Sequence, residues 1–457
     1  MKIFLATLPP ARMMNPMSLE ADLKPSKTWV PLGIAYLANS LRANGFDADL
    51  KDLHDYEWDD IEKLISDITP DVIGISCFTF GRIESLKAAA MAKRVKPNVT
   101  VVMGGPHASF FPEQILMSGN VDIVVLGEGE VTIVELARCL ADNEDLGQIK
   151  GIVYKKDGRI YRNSPRPRVK SLDEFPFPAY DSFDINLYKS PEIPPQYIEL
   201  PGTHVITSRG CPFRCKFCSV NHFFNGKWAF RSPKNVVDEV EMLIHTLGVR
   251  HVYFSDDLFT FKHDRTVAIC REILDRRLDF VWMAETRVDC VNEEMLSWMR
   301  KAGCYRIYYG VESGSPRILK SIDKKFTVEQ VRKAFKMTHE AGIEPCCFLM
   351  VGNPGENPET ISETVDLILE IRPTTLPIIG ITTILPATDQ YELSKKQGLI
   401  TDDYWLSDQP PPLYTGEHSV DDLIYLQMLL TKGICPELYE YLCEMGFDES
   451  YFRMRKM

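Results

Sequence analysis

Three of the 12 cysteines in this 457-residue chain lie close together, in the run Thr207-Ser-Arg-Gly-Cys211-Pro-Phe-Arg-Cys215-Lys-Phe-Cys218. The others, at positions 77, 139, 270, 290, 304, 346, 347, 435 and 443, are scattered through apolar segments, where a free cysteine acts as a small buried hydrophobe. Thiolates are soft ligands that select iron–sulfur clusters, zinc or copper(I). A tight group of them in a cytosolic chain points to metal rather than disulfides. With the spacing C-x3-C-x2-C, Cys211, Cys215 and Cys218 would hold three irons of a [4Fe–4S] cluster and leave the fourth open to a substrate. The same cysteines with His222 also spell a closed Cys3His zinc site. A third reading is a loop of unrelated residues.

The elements around the loop discriminate between these readings. From His204 the sequence reads as a β-α series, with strands at His204–Thr207, His251–Ser255, Phe280–Ala284, Tyr305–Tyr309, Glu344–Val351 and Leu376–Leu385. Ser232-Pro233 opens a helix that runs to Leu247. Thr327-Val-Glu-Gln330 is a capping box, and Asn357-Pro358 starts a further helix. The series is a partial (β/α)6 TIM-type barrel, short of the eight units of a complete one. The cysteine loop follows its first strand, at the strand ends where barrel active sites form, and a structural zinc knuckle has no reason to be there. Polar motifs follow the next strands: Ser255-Asp256-Asp257, Glu285-Thr-Arg287, Tyr309-Gly-Val-Glu312-Ser313-Gly-Ser315 and Gly352-Asn-Pro-Gly-Glu356.

Ahead of this series the chain alternates strand and helix patterns. Strands are read at Lys2–Thr7, Phe46–Leu50, Asp71–Ser76, Val99–Met103 and Val121–Leu126. Helices fall between them, and Val131–Ala141 closes the series. This predicts an N-terminal doubly wound, Rossmann-like parallel sheet. Its strand ends are polar and glycine-rich: Ser76-Cys-Phe-Thr79, Gly104-Gly105-Pro106-His107 and Gly127-Glu128-Gly-Glu130. Ligands of open parallel sheets bind at that edge, and glycines let a large planar group approach the backbone. Nucleotide, flavin and corrin all fit, although the absence of G-x-G-x-x-G weakens the dinucleotide reading. A hairpin around Asp157-Gly158 and a stretch rich in proline join the two series. The expected domains are 1–145, a linker at 146–200, the barrel at 201–395, and a small helical C-terminal region at 396–457.

The cysteine loop resembles that of the radical S-adenosylmethionine (SAM) superfamily, whose hallmark is C-x3-C-x-aromatic-C after the first strand of a six-stranded partial barrel. Phe217 fills the aromatic position. The resemblance implies that the open iron binds the amino and carboxylate groups of SAM. An electron then cleaves SAM, and the 5′-deoxyadenosyl radical abstracts a hydrogen atom. It also implies SAM contacts at Phe217, Ser255, Asp256, Asp257, Glu285, Arg287, Glu312 and Ser313. Asp256 and Asp257 match in position and partial polarity only, where many members carry Gly-Gly-Glu. The plain alternatives are that these aspartates cap the next helix and that Arg287 makes a surface pair.

The N-terminal series resembles a cobalamin-binding domain, with Ser76, Thr79, Gly104, Gly105, Pro106, His107, Gly127 and Glu128 as the implied contacts. A domain of this kind ahead of a radical SAM barrel defines the class that includes anaerobic magnesium-protoporphyrin IX monomethyl ester cyclase and cobalamin-dependent methyltransferases. Many cobalamin domains ligate cobalt through the His of D-x-H-x-x-G after the first strand. Asp52-Leu-His54-Asp-Tyr-Glu57 departs from that motif, since Glu57 replaces the Gly and the segment follows the second strand. His54 is therefore read as an ordinary loop residue, leaving cobalt without a protein His ligand. His107 is read as lining the corrin crevice.

Methyl transfer to an unactivated carbon is the leading expectation: a substrate radical would take a methyl group from methylcobalamin, which a second SAM would re-form. An oxidative cyclisation or rearrangement on the same scaffold is the alternative, and a non-catalytic zinc or redox-sensing protein a remote third. The net charge of −12, with no basic run carrying interleaved aromatics, argues against nucleic acid. The substrate is expected to be a small or lipid-like molecule, and the electron donor a flavodoxin or ferredoxin. The apolar run at the N-terminus stops at Pro9, and no segment approaches the roughly 18 apolar residues of a membrane span. These features predict a cytoplasmic protein.

Overall fold

The computed structural model describes residues 1–8, 29–169, 171–188, 196–197 and 199–444. Pro9, where the N-terminal apolar run was expected to stop, part of the proline-rich linker and the end of the C-terminal region expected at 396–457 lie outside the described residues. Two compact units form: residues 1–203 with 403–410, and residues 204–402 with 411–457.

The first unit is built on β1 (Lys2–Thr7), β2 (Asp47–Asp52), β3 (Val72–Ser76), β4 (Thr100–Gly104), β5 (Ile123–Val125), β6 (Ile152–Lys156) and β7 (Arg159–Arg162). The sheet order is β2-β1-β3-β4-β5-β6-β7. Strands β1 to β5 pair in parallel, and the β6–β7 hairpin adds an antiparallel edge. The order of the parallel part is that of doubly wound sheets whose ligand crevice opens between β1 and β3, where the strand order reverses. Its helices are α1 (Leu32–Ala43), α2 (Trp58–Ile68), α3 (Arg82–Val95), the short α4 (Pro106–Phe110) and α5 (Pro112–Met117), and α6 (Glu130–Asp142). Two apolar layers sandwich the sheet: Ile3, Leu5, Ile34 and Leu136 on one side, and Phe4, Ile73, Ala89 and Val101 on the other.

The second unit holds β8 (Gly202–Val205), the two-residue strands β9 (Ser208–Arg209) and β10 (Ala229–Phe230), then β11 (His251–Phe254), β12 (Val281–Thr286), β13 (Cys304–Glu312), β14 (Glu344–Val351) and β15 (Ile378–Ile381). Six of them form one sheet in the order β15-β14-β13-β12-β11-β8, and β9 pairs antiparallel with β10. Its helices are α7 (Val220–Phe223), α8 (Pro233–Leu247), α9 (His263–Asp275), α10 (Glu293–Lys301), α11 (Pro316–Ser321), α12 (Val328–Glu340), α13 (Pro358–Ile371), α14 (Asp389–Lys396), α15 (Val420–Ile434) and α16 (Pro436–Glu444).

The expected capping box forms at Thr327, Asn357 starts α13 with a second box closed by Thr360, and Ser232 caps α8. One face of the sheet is apolar and meets helices: Trp282 packs edge-on to Phe254, and Tyr309 meets Phe335 of α12. Side chains alternate along a strand. The other face therefore carries Tyr253, Met283, Glu285, Arg306 and Tyr308, in register from strand to strand. Cys304, Cys346 and Cys347 are buried, as small apolar fillers are.

Candidate active site

The cysteine loop is held at its base by two aspartates. Thr207, expected at the end of the first barrel strand, has left the sheet. Its N–H donates to Asp256 Oδ1 at 2.6 Å, and its hydroxyl donates to Asp256 Oδ2. The Ser208 hydroxyl donates to Asp256 Oδ2 at 2.6 Å and accepts from the Trp228 indole N–H at 3.1 Å. Asp257 Oδ2 accepts the Gly210 N–H at 3.0 Å. Gly210 takes φ +89°, and a Cβ there would meet the Lys227 carbonyl oxygen at 2.3 Å, so only glycine fits. Farther on, the Lys216 N–H donates to the Ile322 carbonyl, and the Lys216 carbonyl accepts the Gln390 N–H. The loop is thus tied down from β11, α11 and α14 before any ligand arrives.

Two buried cations flank the loop. The Arg287 guanidinium, beyond β12, makes a bidentate pair with Asp289 at 2.9 Å for each bond. Its Nη2 donates to the Lys324 carbonyl at 2.7 Å, and its Nη1 lies 3.8 Å from Cys215 Sγ. Its Cζ stands 3.6 Å from the centroid of Phe213, between Cys211 and Cys215. Lys324 Nζ lies 5.6 Å from the centroid of Phe217, between Cys215 and Cys218, and meets Glu312 Oε1 at 2.7 Å. Burial opposes the charge on Lys324, but Glu312 and Cys215 outweigh it and lift the ammonium above its ordinary range. Glu312 sits at φ +66°, where the β13–β14 register shifts between Gly310 and Glu312. A non-glycine residue in that region costs about 1–3 kcal/mol, and here it turns a carboxylate onto Lys324.

The expected SAM residues thus divide. Asp256, Asp257 and Arg287 grip or face the cysteine loop, and Phe217 lies on it. Glu285 accepts from the Tyr253 hydroxyl within the sheet face, and Ser255 Oγ meets His204 Nδ1 at 3.0 Å. Ser313 is buried, with its hydroxyl engaged by Thr364 at 3.2 Å and by the Ser315 N–H at 3.1 Å. Arg287 forms a buried pair rather than a surface one, because Asp289 two residues on presents both carboxylate oxygens to the guanidinium edge.

Lys324 carries no mark in the sequence, since a lysine in a turn gives no sign of burial. Burial pushes the Cys211 thiol up to about 11 and the Cys218 thiol to about 12, with nearby Cys215 and Asp257 adding to both. Metal binding would displace those protons. Among the described residues no group of three or more His, Cys, Asp or Glu is arranged to hold a single metal ion, and His222 is exposed on α7. Three thiols on one cation-flanked loop suit the anionic thiolate set of a [4Fe–4S] cluster.

At the C-terminal edge of the first sheet, Gly105 takes φ +97°, and a Cβ there would meet the Cys77 carbonyl oxygen at 2.8 Å. Ser76, Gly104, Gly105, Pro106 and Gly127 remain partly open along this edge. Phe78, which the sequence reading passed over, is 59% exposed just beyond β3. Glycines beside an exposed ring suit a large planar ligand. The other expected contacts are engaged elsewhere. Glu128 pairs with Arg168 at 2.7 Å. His107 is 1% exposed and does not line an open crevice: Nδ1 lies 3.3 Å from the Thr79 hydroxyl, and Phe111 and Trp405 cover the ring. Burial, with Arg82 nearby, pushes its pKa down to about 3. His54 lies in the turn after β2, where its N–H donates to Asp52 Oδ1.

Residues 205–368 match the Radical SAM superfamily, and residues 23–137 match the B12 binding domain. The chain is 36% identical over 341 residues to an uncharacterized methyltransferase of Pyrococcus horikoshii, covering 74% of this chain and 72% of that protein. It is 30% identical over 365 residues to the anaerobic magnesium-protoporphyrin IX monomethyl ester cyclase of Rubrivivax gelatinosus, covering 76% of this chain and 63% of that one, less than two thirds of the cyclase's length. The radical SAM methyltransferase TsrM of Kitasatospora setae, solved with cobalamin and a [4Fe–4S] cluster bound, shares the fold: the TM-score is 0.70 at 19% identity, over 92% of this chain and 80% of that one. This chain belongs to the radical SAM superfamily, in the class that carries a B12-binding domain. It is an enzyme whose cofactors are a [4Fe–4S] cluster, SAM and cobalamin. Among the described residues no helix is long and apolar enough to cross a membrane.

Proposed function

We propose that this enzyme transfers a methyl group to an unactivated carbon, with Cys211, Cys215 and Cys218 as the cluster ligands. The observation that carries the cluster assignment is the loop itself, anchored by Asp256 and Asp257 and flanked by Arg287 and Lys324. When bound, the cluster supplies the electron that cleaves SAM, and cobalamin supplies the methyl carrier. Asp256 and Asp257 hold the ligand loop in shape, and Phe213 and Phe217 stand beside the Arg287 and Lys324 cations. Glu285, half-buried on the polar face of the sheet, is a carboxylate suited to an ammonium group such as that of SAM. Ser76, Gly104, Gly105, Pro106, Gly127 and Phe78 offer cobalamin a glycine-lined edge. Residues 1–145 would form the cobalamin part and 201–395 the radical part, bounds that enclose the family matches at 23–137 and 205–368. A flavodoxin- or ferredoxin-type protein would deliver the electron, and the substrate would be a small or lipid-like molecule.

Methyl transfer is preferred to cyclisation because the methyltransferase of Pyrococcus horikoshii is the more similar of the two relatives. Anaerobic incubation of the loaded enzyme with SAM, a reductant and a small-molecule and lipid extract as the source of acceptor distinguishes the two. A methyltransferase of this type releases both S-adenosylhomocysteine and 5′-deoxyadenosine, and deuterium from labelled SAM methyl enters the product. Formation of 5′-deoxyadenosine alone would move the assignment to the cyclase reading.

A further inference from the structure

Arg287 was expected to contact SAM, yet its guanidinium faces a cysteine. Nη1 lies 3.8 Å from Cys215 Sγ. Asp289 holds the fork by two bonds, the Lys324 carbonyl takes Nη2, and Phe213 lies flat beneath Cζ. The side chain is almost wholly buried. These contacts leave Nη1 as the donor aimed at the loop, in an orientation the neighbours over-determine.

We propose that Arg287 is a positioning residue for the cluster, donating a hydrogen bond to the Cys215 thiolate and raising the cluster's reduction potential. The inference rests on Cys215 being a cluster ligand. A one-electron reduction adds negative charge to the cluster and its thiolates. A donor on a ligand sulfur stabilises the reduced form more than the oxidised form, and burial keeps water from screening it. The Arg287–Asp289 pair is neutral as a whole, but the guanidinium is the partner turned to the sulfur, so the field at the loop is positive. The Phe213 face and the Asp289 fork also suit a planar guanidinium better than an ammonium.

The test uses the full-length protein, reconstituted anaerobically with iron and sulfide, as wild type, Arg287→Lys and Arg287→Gln. Iron content is measured, the cluster is titrated by EPR at set solution potentials without SAM, and SAM binding is then measured on each. The expected result is wild-type iron in all three. In Arg287→Gln the ratio of reduced to oxidised cluster should fall about tenfold at a fixed potential, about 59 mV for one electron. Arg287→Lys should fall between the two. SAM affinity should change less than about twofold.

An unchanged potential in Arg287→Gln overturns the proposal. So does a large loss of SAM affinity at unchanged potential, which would make Arg287 a SAM contact instead. If Arg287→Gln holds no iron, Arg287→Lys decides, and a wild-type potential there overturns the proposal. Failure of the wild type itself to hold iron would sink the cluster assignment instead, and is read from the wild type alone.

Discussion

The indole of Trp405 meets the imidazole of His107 edge-on, with ring centroids 5.5 Å apart and planes at 71°. The two residues are far apart in sequence, and Trp405 reaches the first sheet only because residues 403–410 return to it after the barrel has been built. The same indole packs on Phe111 and lies 5.3 Å from the Arg82 guanidinium, while the Ser407 and Gln409 carbonyls accept from Arg82 Nη2. Trp405→Ala removes a buried ring, which costs about 3–5 kcal/mol. The expected outcome is a lower midpoint of unfolding for the first unit and a His107 that titrates between pH 5 and 8, followed by nitrogen-15 NMR of the imidazole. A His107 that stays silent over that range would show that Trp405 is not what keeps it dry.

Asp256→Asn separates a structural role from cofactor contact. The carboxylate accepts from the Thr207 N–H, the Thr207 hydroxyl and the Ser208 hydroxyl. An amide replaces one acceptor with a donor, and each buried group left unpaired costs about 1–3 kcal/mol. The variant should load less iron and lose its cluster faster in air. Full iron content with weakened SAM binding would instead place Asp256 on SAM.

Glu356 gives a pH signature. Glu356 is 2% exposed, and burial raises its pKa from 4.5 to about 7 against the Asn353 and Gly352 N–H groups, which pull the other way. Between those values the folded protein holds a proton that the unfolded chain has released. The stability it contributes is therefore complete below about pH 4.5 and lost as pH rises through 7, by about 3 kcal/mol in all. Glu356→Gln keeps an acceptor for the Asn353 N–H without the charge. Its stability relative to wild type should rise across pH 5–8 in denaturant titrations. A constant difference would mean that Glu356 is ionised throughout.

Gly105→Ala tests the approach of β4 to β3. The added methyl meets the Cys77 carbonyl oxygen at 2.8 Å in a backbone already at φ +97°. Strain of about 1–3 kcal/mol is expected. Because the loop borders the open edge, cobalamin retention after desalting should fall with it, and wild-type retention would remove this loop from the site.

Much of this architecture was legible from periodicity and punctuation. The doubly wound sheet follows from strands alternating with helices up to Val131–Ala141, and the partial barrel from the β-α series that begins at His204. The short helices α4 and α5 escaped because neither is long enough to show a period. The first barrel strand stops at Val205 rather than Thr207 because Asp256, distant in sequence, takes the polar groups of Thr207.

The sequence by itself determined the chemistry: three thiols at C-x3-C-x2-C, placed after a first barrel strand, behind a glycine-edged parallel sheet. Spacing and local propensity act over a few residues, and these features need nothing more. Tertiary structure alone decided which partner each polar side chain has. It sent Arg287 to Cys215 and Asp289, buried Lys324 against Glu312, and laid Trp405 over His107. Arg287 with Cys215 and Trp405 with His107 join residues far apart along the chain, and burial, which makes an unpaired charge costly, appears only once the sheets have closed around them.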